Sequence, residues 1–193
     1  MLVDAIRAGF KRLALRRDLQ SDALSAKDFT VFKPIYQAIA RDAEQQGITP
    51  LGSLLFDAGG HLAPGIHSVD WSGFSQFGWN RRRRQLLAGL ERQMRCLKAA
   101  GCQFVVIGGS FVTSKEKPGD FEGCFDAATT DTAVLIQLEP ALVLGHAAEL
   151  AARDGGALVA PVYLESMGAS MLEFLQFDDR INKRKGVVLV HLH

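Results

Sequence analysis

At Gly101 the apolar pattern of this chain changes period. Before it, Leu86, Leu87, Leu90, Met94 and Leu97 recur at helical spacing behind Asn80, a residue type that caps helix starts. Gly101 itself stands where a helix-ending glycine belongs. After it come short apolar runs bounded by turn residues, at 103–107 (QFVVI), 121–125, 133–138, 157–164 and 187–192, each read as a strand. A helix over 141–153 ends at Gly155-Gly156, and residues 171–177 suit a short helix or a strand. Helices alternating with strands predict an α/β or α+β domain. The class expected is α+β, a mixed sheet flanked by helices.

The first third of the chain has a different texture. In residues 1–20, Ile6, Phe10 and Leu13 form one apolar stripe among basic residues. A second helix is expected from Pro34 to just before Gly47, with Ile35, Ala38, Ile39 and Ala43 on its apolar side. Residues 1–50 therefore read as an N-terminal helical appendage and 51–193 as the main domain. Residues 51–80 are rich in glycine and aromatics without a long period, and read as turns plus one short helix over 71–77. Two short amphipathic helices cannot bury their stripes alone, so residues 1–50 pack on the domain, on each other or on another chain; the last case makes them a dimer- or partner-forming element.

Composition removes several function classes. There are 22 Lys plus Arg against 21 Asp plus Glu, a net charge of +1, so phosphate chemistry must come from a local cluster and not from the global field. Cys96, Cys102 and Cys124 are odd in number and lack C-x-x-C spacing, which argues against a disulfide framework or a structural zinc. No apolar run approaches the roughly 20 residues of a membrane span, and the first residues lack the apolar core of a signal peptide, so the expected location is cytoplasmic with no membrane partner.

The stretch that carries chemistry is 106–126, VIGGSFVTSKEKPGDFEGCFD. A strand runs into Gly108-Gly109-Ser110, a loop with Lys115 and Lys117 follows, and Asp120 and Glu122 come two positions apart on the next strand. Side chains two apart on a strand share a face, so both carboxylates point one way. Two hard oxygen ligands beside a glycine turn suit Mg²⁺ held against a triphosphate. Glycines let backbone approach phosphate closely, and Ser110 can hydrogen-bond a phosphate oxygen. The same features also occur as an edge-strand face, a plain turn and solvated loop lysines.

Gly109-Ser110 followed by Asp120-x-Glu122 resembles the active-site signature of the DNA polymerase beta-like nucleotidyltransferase superfamily. The chain is more closely similar to an uncharacterised bacterial family of small nucleotidyltransferase-like proteins. That likeness runs over residues 53–192 and is carried by Leu62-Ala63-Pro64-Gly65-Ile66-His67, Phe77-Gly78-x-Asn80, Gly109-Ser110-Phe111-Val112-Thr113-x-Lys115, Pro118-Gly119-Asp120 and Lys185-Gly186. The resemblance implies the nucleotidyltransferase fold and Mg²⁺-dependent transfer of a nucleoside monophosphate from an NTP to a protein or RNA acceptor. It implies Asp120 and Glu122 as catalytic metal ligands, and Gly109, Ser110 and Lys115 as nucleotide-binding residues. Small stand-alone members also act as the antitoxin of a toxin–antitoxin pair, which gives the alternative: a catalytically degenerate protein that works by binding its toxin. The superfamily places a third carboxylate on a later strand. The segment after Gly155-Gly156 reads Ala157-Leu158-Val159-Ala160, leaving Asp154, Glu139 and Glu165 as nearby substitutes.

Other constellations are expected to be structural. The four arginines at 81–84 begin a helix whose dipole disfavours cations there; a solvated face is favoured over a nucleic-acid or acidic-partner contact. The basic residues Arg180, Lys183, Arg184 and Lys185 suit a charged hairpin turn. His67 reads as a structural hydrogen-bonder, and Trp71, Phe74, Phe77 and Trp79 as a core or interface cluster, not a base-stacking platform.

Overall fold

The structure is a computed structural model that describes residues 56–160, 171–178 and 182–192. The expected helices of residues 1–50, and Glu165, lie outside the described residues. Five strands form one mixed sheet in the order β1-β7-β2-β3-β4. They are β1 (Ile66–Val69), β2 (Phe104–Gly108), β3 (Phe121–Phe125), β4 (Gly156–Val159) and β7 (Val187–His191). β1 runs parallel to β7 and β3 parallel to β4, while β2 is antiparallel to both β7 and β3. A two-stranded ribbon, β5 (Phe177–Asp178) with β6 (Lys183–Arg184), forms the hairpin expected in the basic segment.

Alternation along the strands splits the core in two. Val105, Ile107, Phe121, Phe125, Leu158, Val188 and Val190 face a helical layer. That layer holds α1 (Trp71–Ser75), α2 (Arg81–Ala99), α3 (Thr132–Leu138), α4 (Pro140–Val143) and α5 (Ala147–Asp154). On the other face, Phe104, Val106, Cys124, Val159, Val187 and Leu189 meet Met171 and Leu175 of α6 (Met171–Leu175). With both faces covered, β2 is buried along its whole length and needs no polar alternation. The three cysteines are free thiols, and burial pushes Cys102 up to about 12.

α2 is the frame of the helical layer. The Asn80 side chain accepts from the Arg83 amide at 3.0 Å, and Gly101 adopts the left-handed φ of +84° after the last turn. Leu86, Leu90, Met94 and Leu97 face the sheet, each 5% exposed or less. Gly89 removes the side chain where α2 crosses α5: a Cβ there would lie 2.0 Å from the Asp154 carbonyl oxygen. One turn on, buried Gln93 donates to Asp154 Oδ2 and the Gly156 carbonyl, both at 3.0 Å, and accepts from the Leu158 amide at 2.9 Å. This amide ties helix to strand because all its polar atoms are satisfied inside the core.

Three expectations are corrected. Residues 133–138 are helix α3, not a strand: the Asp131 carboxylate accepts from the amides of Ala133 and Val134, starting a helix that buries only Leu135. Residues 141–153 are not one helix, because Gly145 with φ +68° turns the chain between α4 and α5. Residues 66–69, read as turns, form β1; their parallel pairing to β7 comes from over a hundred positions away and leaves no local pattern. Within 157–164, strand pairing covers Gly156–Val159, and residues 161–164 lie outside the described set.

Candidate functional site

Antiparallel pairing brings the end of β2 beside the start of β3, with Gly108 in register with Glu122. Parallel pairing adds the start of β4, where Phe121 meets Gly156 and Glu122 meets Ala157. Because β7 is antiparallel to β2, Lys185-Gly186 reach the same end of the sheet. This end therefore gathers the Gly109-Ser110 turn, Asp120, Glu122 and Ala157.

Gly109 begins a 3-10 turn, Gly109–Val112, with φ +70°. A Cβ at Gly109 would lie 3.1 Å from Glu122 Oε2, so the missing side chain is the space the carboxylate occupies. At Gly108 a Cβ would meet Leu175 Cδ2 at 2.9 Å, so α6 lies directly over the turn. Ser110 is half-buried, and its carbonyl accepts from Thr113 Oγ1 at 2.7 Å. Asp120 is exposed just before β3 and Glu122 half-buried within it, either side of buried Phe121. Lys115 is exposed on the loop between the turn and the carboxylates.

That loop is held by the start of α2, which corrects the solvated reading of the arginine run. Arg83 is 0% exposed. Its guanidinium donates to the carbonyls of Phe111 (2.7 Å), Thr113 (2.6 Å) and Lys115 (2.6 and 3.0 Å), with a longer bond to Phe77 (3.4 Å). Burial lowers its pKa to about 10, so it stays charged at neutral pH. Arg82 donates to the carbonyls of Pro118 (3.2 Å) and Gly119, and Asn80 to that of Glu116 (2.7 Å). Ser114 is fixed from the other side, its amide donating to the Gly60 carbonyl at 2.9 Å. The loop joining the glycine turn to Asp120 is thus positioned by carbonyl contacts to side chains 30 or more positions earlier. The unfavourable place of these arginines in a helix dipole was the one local signal of this role.

Of the substitutes for a third carboxylate, the two within the described residues, Asp154 and Glu139, are committed elsewhere. Burial alone would raise the Asp154 pKa, but Arg153, Arg92 and Gln93 outweigh it and hold the carboxyl below its ordinary value. Arg92 donates to Asp154 at 2.8 and 3.0 Å, and Arg153 at 2.9 and 3.1 Å. Arg153 also donates to Glu139 at 2.6 Å. Among the described residues no group of three or more His, Cys, Asp or Glu stands together as a metal site. Mg²⁺, however, is commonly held by one or two carboxylates plus substrate phosphates, and Asp120 and Glu122 beside the glycine turn fit that donor set.

The remaining sequence readings resolve as follows. His67 Nε2 lies 2.8 Å from the Ala63 carbonyl, a structural bond as expected. Trp71, Phe74, Phe77 and Trp79 form the expected cluster, with ring centroids 6.1 Å apart for Trp71–Phe74, 5.3 Å for Phe74–Phe77 and 6.1 Å for Phe77–Trp79; Phe74 and Phe77 are buried at 0% and 1%, and Trp79 is its 47% exposed edge. No described helix is long and apolar enough to cross a membrane. The model of a family of unknown function, DUF6932, matches residues 54–191. No curated protein and no solved structure matches the chain.

Proposed function

The chain belongs to the DUF6932 family, and we propose that it is a nucleotidyltransferase-like protein that binds an NTP with Mg²⁺ at the Gly109–Glu122 sheet end and transfers the nucleoside monophosphate to a protein or RNA acceptor. The observation that carries this reading is the contact of Glu122 with the side-chain-free surface of Gly109. It puts a hard oxygen ligand against the backbone turn that, in this reading, orients the phosphates. In this reading Asp120 and Glu122 hold the metal, the Gly109-Ser110 turn orients the phosphates, and Lys115 adds positive charge. Bound Mg²⁺ supplies charge neutralisation at the phosphates. Transfer forms a bond between the acceptor oxygen and the α-phosphorus, breaks the α–β phosphoanhydride bond and releases pyrophosphate, while the acceptor's proton leaves to a base.

A specific observation favours a second reading. The strand position beside Glu122 is Ala157, so no carboxylate stands there to take the acceptor's proton or hold a second metal. A protein with this site binds nucleotide, or a partner such as a toxin, without transfer. Incubation with labelled NTPs, Mg²⁺ and cell lysate separates the two. Label transferred by the wild type and lost in Asp120→Ala supports the enzyme. Mg²⁺-dependent NTP binding with no transfer supports the second reading, and no NTP binding in the wild type defeats transfer and nucleotide binding alike, leaving the second reading only in its partner-binding form.

A further inference from the structure

The four arginines of residues 81–84 differ in exposure. Arg82 and Arg83 direct their donors to carbonyls of the 111–119 loop, whereas Arg81 and Arg84 are exposed, Arg84 with a long bond to the Gly78 carbonyl at 3.4 Å. Lys115 and Lys117 are exposed on the loop that Asn80, Arg82 and Arg83 hold against the helix start. Four exposed cations are thereby gathered around residues 79–84, with Glu116 the one acid between the lysines. The basic partners of the described ion pairs are His61, Arg92, His146, Arg153 and Lys185, so none of the four is neutralised by them. On a chain of net charge +1 this is a local excess, not the general surface.

Trp79 stands in the middle of it, 47% exposed. The Arg83 guanidinium carbon lies 3.6 Å from the indole centroid, backing one face of the ring. Carbonyl bonds fix Arg83 in turn, so the indole is held by a rigid support and its exposed surface is presented to solvent. An acidic protein surface would need the charges alone. A held, exposed indole among cations that take no part in the described ion pairs matches a single strand, whose unpaired bases stack on aromatic rings while its phosphates meet Lys and Arg. A duplex offers no free base faces.

We propose that Trp79, Arg81, Arg84, Lys115 and Lys117 form a docking surface for single-stranded nucleic acid. Residues 116–119 join this surface to Asp120, so it lies one short loop from Asp120 and Glu122. That the strand carries the acceptor hydroxyl rests on the nucleotidyltransferase reading; the docking itself does not.

Fluorescence anisotropy of 5′-labelled oligouridine with the full chain, over a salt series, tests it. Binding is expected to weaken with salt. Trp79→Leu, which keeps apolar cover over Arg83, weakens it about tenfold, the effect of losing a base stack. Arg81→Gln with Arg84→Gln lowers the salt slope by about 1.4, two single-strand phosphates at about 0.7 each. Circular dichroism checks that the variants fold; should Trp79→Leu unfold, the double arginine variant decides. Absence of oligouridine binding overturns the proposal. So does equal binding of duplex or polyglutamate that is insensitive to Trp79→Leu, which assigns the patch to an acidic protein. If the wild type binds oligouridine but gives no Mg²⁺-dependent NTP response, the docking stands and the transferase reading falls.

Discussion

Glu122 on β3 has Ala157 as its register partner on β4. Adjacent strands bring paired side chains within contact on one face, so the residue at 157 is the one best placed to share a metal or a proton with Glu122. Both proposed readings meet at this pair: in the first Glu122 holds a nucleotide-bound metal, and in the second the Ala157 methyl group stands where transfer would need an acid.

Installing that acid is the direct experiment. Ala157 is half-buried, and the carboxylate of Ala157→Asp would face Glu122. Without metal the like charges repel, and the variant is expected to lose about 1 kcal/mol of stability. Mg²⁺ should more than recover the loss, and any NTP-dependent labelling of an acceptor should rise. A melting temperature that does not respond to Mg²⁺ in this variant would show that Glu122 and residue 157 do not share a metal.

Replacing Arg83 tests how the loop is held. Arg83→Met keeps the bulk but abandons the carbonyls of Phe111, Thr113 and Lys115 inside the protein, each an unsatisfied acceptor costing about 1–3 kcal/mol. The expected loss is about 3–5 kcal/mol in denaturant unfolding, with Arg83→Lys intermediate because an ammonium cannot span the same set of acceptors. A loss under about 1 kcal/mol would mean that water replaces the guanidinium.

The Asp154 cluster sets a pH dependence. Its folded-state pKa is depressed, so the stability it contributes is present above the ordinary carboxylate value, near 3.8, and is lost as pH falls through the lower folded value. Asp154→Asn should therefore be less stable than wild type at pH 7, by about 2 kcal/mol, since Arg92 and Arg153 are half-exposed and can rehydrate. The two unfolding curves should converge as pH falls through the lowered folded-state value. A difference that stays constant through the acid range would show that the lost contribution is packing, not charge.

At the turn, Gly109→Ala meets two obstacles. Its φ of +70° is unfavourable for a side chain by about 1–2 kcal/mol, and its Cβ would press on Glu122 Oε2 at 3.1 Å. The variant should fold with reduced stability and show a smaller Mg²⁺–NTP thermal shift, read by differential scanning fluorimetry. An unchanged shift would separate Glu122 from the nucleotide.

The sequence by itself determined what local physics can determine. Asn80 and Gly101 bound α2 because capping and left-handed glycine act within a turn of the helix end. The apolar runs of β2, β3 and β7 are visible because a strand buried on both faces needs no polar alternation. The Gly109-Ser110 turn and the Asp120–Glu122 spacing lie in one short stretch and were legible there. Tertiary structure decided the rest. Residues 133–138 form a short apolar run of the kind read as a strand, yet Asp131 caps them into a helix that buries only Leu135. β1 exists because β7 lies beside it. Arg83 looks like its three neighbours until a loop some 30 positions later supplies it with carbonyls. Ala157 becomes the partner of Glu122 only through the β3–β4 register. Pairing and burial belong to two segments at once, and neither segment carries that information alone.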